Sequence, residues 1–299
     1  MATERDITPA EQDSNRIIEA QLDLRLAGIQ DAKSADAITY VGGIIYGADD
    51  SIKYAVEDLD PKRDTLLVIL ETNGGYIEVA ERIANTFRHH YSAVEFLVPN
   101  FAMSAGTVLV MSGDAIHMDY SSILGPIDPQ VKRPGAEQFV PALGYLEQYK
   151  RLVEKSANGT LTTAELAYMV QNFDAAELYR YEQERELSIA LLEQWLVQYK
   201  FKNWKKTATR KIAVTPAMRK LRAKQIAKGL NQTGRWHSHS RGITMEVLRR
   251  ELKVQIDDFG SDPTFARRIR EYYRLFKDYQ IRRSHYYHGL HAHGHYEGY

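Results

Sequence analysis

At 299 residues the chain can form one large domain or two ordinary ones, long enough to bury a sizeable core. Its 44% hydrophobic and 26% charged residues are those of a soluble globular protein, and 39 basic residues against 39 acidic ones give no global pull toward nucleic acid or membrane. Cysteine is absent, which excludes disulfide scaffolds, thiolate zinc sites and a cysteine nucleophile.

The opening "MATERDITPAEQDSNRII" is polar, with no apolar signal core. No later stretch approaches the roughly 18 uninterrupted apolar residues of a membrane span. A soluble, unexported, cytoplasmic protein is expected. From residue 9 to 28, Ile17, Ile18, Leu22 and Leu26 recur at helical spacing. "AITYVGGIIYG" (37–47) is rich in β-formers and ends in glycine, and "SIKYAVEDL" predicts a short helix. "DTLLVILETNGG" (64–75) is an apolar run that stops at paired glycines, as a parallel strand covered on both faces does. "YIEVAERIANTFRHH" sets Ile77, Ala80, Ile83, Ala84 and Phe87 on one helical face. "AVEFLVP" then reads as a strand, "SAGTVLVMSG" as a helix and "AIHMDY" as a strand. This alternation predicts stacked β-α-β units over 37–131. Beyond it, 142–230 reads as nearly continuous helix. From Lys200 to Lys228 there are eleven Lys or Arg and no Asp or Glu. "GRWHSHSRGITMEVLRRELKV" returns to an αβ pattern, and "RSHYYHGLHAHGHYEGY" reads as a disordered His/Tyr-rich tail.

Two strand-to-helix turns carry the chemistry. "TNGG" (72–75) allows close backbone approach and leaves amide N–H groups pointing outward. Ser104 opens the helix after the "VEFLVP" strand. A serine there is either an N-cap bonding an orphan amide or a nucleophile, which needs a base and two converging backbone donors. Neighbouring turns of a parallel sheet can supply both donors. His117 reads as a packed histidine.

These segments, "LLVILETNGGYIEVAERIANTFRHH", "VEFLVPNFAMSAGTVLVMSGDAI" and "SSILGPIDPQV", resemble the serine dehydrogenase proteinase family of Clp-fold serine proteases. That family is related to signal peptide peptidase A and, more distantly, to the Clp protease proteolytic subunit. The strong resemblance covers about 37–131, with a weaker echo in "WHSHSRGITMEVLRRELKV". It implies an α/β Clp/crotonase-like fold over 37–265 with a mainly helical insertion at about 142–235. A helical arm (1–36) would precede that domain, and a C-terminal helix and tail (266–299) would follow.

The resemblance makes Ser104 the nucleophile and the amides of Gly75 and Ala105 the oxyanion hole, with Gly74 permitting the turn. Gly125, Pro126, Ile127 and Asp128 fall where Clp-fold proteases bind substrate as an added β-strand. Pro126 stands about where Clp protease has its histidine, so a Ser-His-Asp triad of that type is not expected. The signal peptide peptidase A branch uses a lysine base instead. "GYLEQYKRLVEKSANGT" resembles the helix that carries it, which puts Lys150 in that role with Lys155 behind it. His237 and His239 fall near the third triad position of the Clp protease, and His239 is the alternative base.

The expectation is therefore a serine endopeptidase, ATP-independent or partner-assisted, without cofactor or metal. It would act on peptide or protein substrate as a homo-oligomer, with the basic stretch 200–228 open to a protein partner rather than to nucleic acid. Two rivals remain: a crotonase-like enzyme using the same oxyanion hole on an acyl-CoA thioester, and a catalytically silent scaffold binding a partner through its basic helices.

Overall fold

The structure, a computed structural model, describes residues 9–127, 130–132, 139–207, 209–232 and 242–299. The chain starts with α1 (Pro9–Lys33), β1 (Asp36–Gly42), α2 (Ala48–Glu57), β2 (Thr65–Glu71), α3 (Ile77–His90) and β3 (Ala93–Leu97). It continues through β4 (Phe101–Ala102), α4 (Ala105–Val110), β5 (Ala115–Met118) and β6 (Ile123–Leu124). A short hairpin, β7 (Gln130–Lys132) with β8 (Phe139–Pro141), precedes α5 (Ala142–Ala157), α6 (Thr163–Asn172) and α7 (Ala175–Trp195). After a π-helical turn (Leu196–Lys200) come α8 (Pro216–Leu230), β9 (Ile243–Thr244), α9 (Met245–Arg250) and β10 (Asp257–Asp258). The last elements are α10 (Pro263–Arg282), β11 (His288–Ala292) and β12 (His295–Gly298).

Seven strands form the main sheet in the order β10-β5-β3-β2-β1-β11-β12. The first five are mutually parallel, with Tyr40 opposite Leu70, Val68 opposite Phe96 and Phe96 opposite Ile116. Side chains alternate across the sheet, so the apolar run of β2 divides between two cores. Leu66, Val68 and Leu70 join α2, α3, α4 and the ends of α7 and α8, while Leu67 and Ile69 face α1 and α10. The face predicted for α3 is the buried one, with Ile77, Ala80, Ile83, Ala84 and Phe87 inside. A small second sheet, β4-β6-β9, stands beside the main one and carries the chain past Ser104.

The structure corrects both ends of the expected domain plan. Residues 9–33 are no free arm: Leu22, Leu26 and Ile29 are fully buried against Ile269, Tyr272 and Phe276 of α10. Nor are the last residues a disordered tail. β11 pairs antiparallel with β1, Tyr40 opposite Leu290, and β12 pairs back onto β11. Gly294 takes the left-handed conformation that their two-residue turn requires (φ 73°). His291, read as part of a polar tail, is buried between the Tyr272 hydroxyl (2.9 Å to Nδ1) and Asp23 (3.2 Å to Nε2). The composition is low in complexity, but alternate residues point inward, and that alternation lets a polar-looking segment finish a sheet.

The helical stretch begins at Ala142 as expected, although its later half belongs to the main core rather than to a separate insertion. Leu191, Leu192 and Trp195 of α7 and Ala223, Ile226 and Leu230 of α8 pack there. The basic run is turns as far as Thr215, which caps α8 by accepting from Met218 N–H. Several of its cations are used within the chain. Lys202 pairs with Asp114, Arg219 donates to Trp204 O, and Arg222 donates to Leu252 O. Burial presses the Lys200 ammonium down to about 8.

Candidate active site

Ser104 occupies the first position before α4, yet its hydroxyl makes no capping bond. Among the described residues it has no hydrogen-bond partner at all. The N-cap reading is thereby removed. The backbone at Ser104 has φ 51° and ψ −121°, and Gly106 N–H reaches Met103 O at 2.8 Å. That is the first central position of a II′-type turn, where glycine is the ordinary occupant. Holding a side chain in such a conformation costs on the order of 1–3 kcal/mol. Ser34, Lys211, Lys253 and Ser284 also have positive φ, but only Ser104 stands at the start of a helix beside a glycine turn.

The glycine turn lies directly against it. A methyl group placed on Gly74 would sit 2.8 Å from Ser104 Cβ, 2.7 Å from Met103 O and 3.3 Å from Ala105 N. One placed on Gly75 would fall 2.1 Å from Ile44 O. Gly74 has φ 96° and Gly75 φ 149°, so backbone geometry and crowding both demand glycine at these positions. Ile44 N–H bonds to Gly74 O (2.9 Å) and Tyr76 N–H to Ile44 O (2.8 Å), which fixes the turn from one side. Thr72 N–H to Phe101 O (3.1 Å) and Met103 N–H to Thr72 O (2.9 Å) fix it to the serine turn from the other. Gly74 N–H is used by Thr72 Oγ1 (3.0 Å). Among the described residues, the N–H groups of Gly75 and Ala105 are left unbonded. Two free amides beside a free hydroxyl can accept an oxyanion as an acyl carbon is attacked.

Gly125, Pro126 and Ile127 follow β6 and are buried. Gly125 N–H bonds to Ala102 O and Thr107 Oγ1, both at 3.0 Å, and Ile127 N–H to Leu230 O at 3.2 Å. Both amides that strand addition would use are thus occupied within the chain. Thr107, fully buried, also has its hydroxyl 2.8 Å from Ala102 O and 2.9 Å from Gly125 O, tying α4 to β4 and β6. Nothing in the sequence singles out Thr72 or Thr107. Their bonds depend on segments brought together only by the fold, although a threonine three residues after Ser104 on a buried helix is a polar signal that asks for a partner.

Ser104, Gly74, Gly75, Ala105 and Gly125 are therefore brought together. Lys150 is not: it is exposed on α5 and makes no hydrogen bond to Ser104. Lys155 is engaged with Glu165 of α6. Asp128, His237 and His239 lie outside the described residues. His117 is a packed histidine, buried with Nε2 2.8 Å from Glu95 Oε2. A cavity of about 470 Å³ between Lys33, His117, Asp257 and Arg268 includes none of the Ser104 site residues.

A parallel-rich sheet with these two turns side by side is a ClpP-like α/β fold. Residues 12–180 match the family of ClpP-like SDH-type serine proteinases, and the chain belongs to that family. Two uncharacterized proteins of Methanocaldococcus jannaschii are similar to it. One is 34% identical over 147 residues, covering 46% of this chain and 50% of the relative. The other is 31% identical over 137 residues, covering 44% of each. The chain thus spans about half the length of the relatives it matches. Among solved structures, two alanine mutants of the membrane-bound stomatin-specific protease 1510-N align over 74% of this chain. The serine mutant is covered over 77% of its length at 13% identity, and the lysine mutant with its substrate peptide over 73% at 14%, both with a TM-score of 0.43. ClpP1 from Listeria monocytogenes aligns over 81% of this chain and 95% of its own, at 11% identity and a TM-score of 0.41. No helix among the described residues is long and apolar enough to cross a membrane.

Proposed function

We propose that the chain is a serine endopeptidase in which Ser104 Oγ attacks the peptide carbonyl. The acyl-enzyme so formed is then hydrolysed by water. The N–H groups of Gly75 and Ala105 hold the oxyanion, and the substrate runs between the Gly74–Gly75 turn and the Gly125–Ile127 segment. The observation that carries this reading is the unbonded Ser104 hydroxyl, held at a positive φ where a helix cap would need neither feature. Family membership supports the same chemistry.

For the base we propose Lys150. A lysine base works only when it is withdrawn from water or set beside another cation. Lys150 is exposed in the single chain, so bound peptide or a second copy must cover it. Lys155, already paired with a carboxylate, is the weaker candidate, and His239 takes the role if neither lysine serves.

Fluorophosphonate labelling followed by peptide mapping tests the nucleophile. The adduct is expected on Ser104 and is lost in Ser104→Ala. A folded protein that does not label, or labels elsewhere, refutes the assignment and favours the acyl-CoA or scaffold alternatives, neither of which needs this serine. Labelling that survives in Lys150→Ala but vanishes in His239→Ala would move the base.

A further inference from the structure

We propose that Glu71 and Asn100 are positioning residues for the Ser104 site, held in place by Lys277 and Tyr273 of the C-terminal helix α10. This rests on Ser104 being the nucleophile. Glu71 ends β2, one residue before Thr72 and four before Gly75. It is an acidic residue at the end of an apolar strand and only 5% exposed. A buried carboxylate is tolerated when it is paired and hydrogen-bonded. Here Lys277 Nζ lies 2.8 Å from one oxygen, while Asn100 Nδ2 (3.0 Å) and the Tyr273 hydroxyl donate to the other.

Asn100 joins that carboxylate to the rest of the site. It immediately precedes β4, the strand that leads to Ser104, and its carbonyl accepts from Ile123 N–H at 2.9 Å. Ile123 starts the strand that runs to Gly125. The segments carrying the glycine turn, the serine turn and the Gly125 wall therefore meet at one pair, Glu71 and Asn100. Thr72 N–H to Phe101 O repeats the link one residue further on. Oxyanion donors act only within a few tenths of an ångström of the developing charge, and a displacement of about 1 Å can cost about 100-fold in rate. Two turns from different strands keep that spacing only if something fixes their roots relative to each other. The Glu71–Asn100 bond does so, and α10 anchors it to the opposite face of the sheet. Neither residue touches the reacting atoms.

The test is the concentration dependence of fluorophosphonate labelling in the full-length wild type, Asn100→Ala and Lys277→Met, each with its melting temperature. Asn100 lies on an exposed turn, so its truncation leaves the fold intact, and Lys277→Met keeps the side-chain length. The maximal labelling rate of Ser104 is expected to fall about tenfold in Asn100→Ala, with an unchanged half-saturating probe concentration and melting temperature. Lys277→Met is expected to slow the same step. Wild-type and Asn100→Ala proteins labelling equally fast at Ser104 would overturn the positioning role while leaving the nucleophile assignment intact. A rate that falls only in step with the melting temperature overturns it too, since that is the mark of a purely structural pair. A wild type that never labels at Ser104 removes the nucleophile assignment, and the positioning role with it.

Discussion

Ser104 sets stability against function at a single residue. Its φ of 51° with ψ −121° suits glycine, whereas its hydroxyl is the group the chemistry needs. Ser104→Gly is therefore expected to stabilise the fold by about 1 kcal/mol, since relief of backbone strain outweighs the extra entropy of the unfolded chain. The same change abolishes labelling. Urea unfolding beside Ser104→Ala, which removes the hydroxyl but keeps the strain, separates the two effects. If Ser104→Gly is no more stable than Ser104→Ala, the strain reading is wrong. "SAGT" announces that a serine opens a helix, but a cap and a nucleophile share that position. They differ in whether the hydroxyl is bonded to the helix, and that depends on a backbone angle that residue order does not display.

The decisive element is α4, whose first turn carries Ser104 and whose Thr107 hydroxyl binds β4 and β6. Thr107→Val keeps the shape but leaves the Ala102 and Gly125 groups short of a buried partner, at a cost of about 1–3 kcal/mol. Chemical denaturation should show that loss, and slower labelling of Ser104 should accompany it because the serine turn shares those bonds. A second expectation concerns the C-terminal hairpin. β11 covers the edge of β1, so deleting residues 284–299 exposes a run of unpaired backbone groups beside an apolar core. Light scattering of the truncated protein should report aggregation where the full chain stays dispersed. If the truncated protein stays monodisperse, the hairpin is not what protects the edge. Helices and apolar strands were readable because their patterns repeat at 3.6 or 2 residues. The hairpin was not, because its apolar positions are few and histidine and tyrosine take the rest.

Across the molecule, charge is spent on tying layers together. The hydrogen bond from His117, opposed by burial and reinforced by Lys33, brings the Glu95 carboxyl from its ordinary 4.5 to about 2. A carboxyl depressed in the folded state adds stability above about pH 4.5, and that stability drains away as pH falls toward 2. Glu95→Gln should therefore be less stable than the wild type at neutral pH, and the gap should close across that acid window. Unfolding midpoints measured from pH 2 to 7 check this, and a gap that stays constant with pH would refute it. The order of strands and helices, the buried face of α3 and the glycines of the second turn follow from residue order alone, because local periodicity and backbone demand are short-range properties. Three things needed the folded chain. The first is the closure of the sheet by β11 and β12, and the second is the absorption of α1, α7 and α8 into its two cores. The third is the convergence of residues 71–75, 100–107 and 123–127 around Ser104. Each depends on contacts between segments far apart in the chain, and such contacts have no signature in any one window of the sequence.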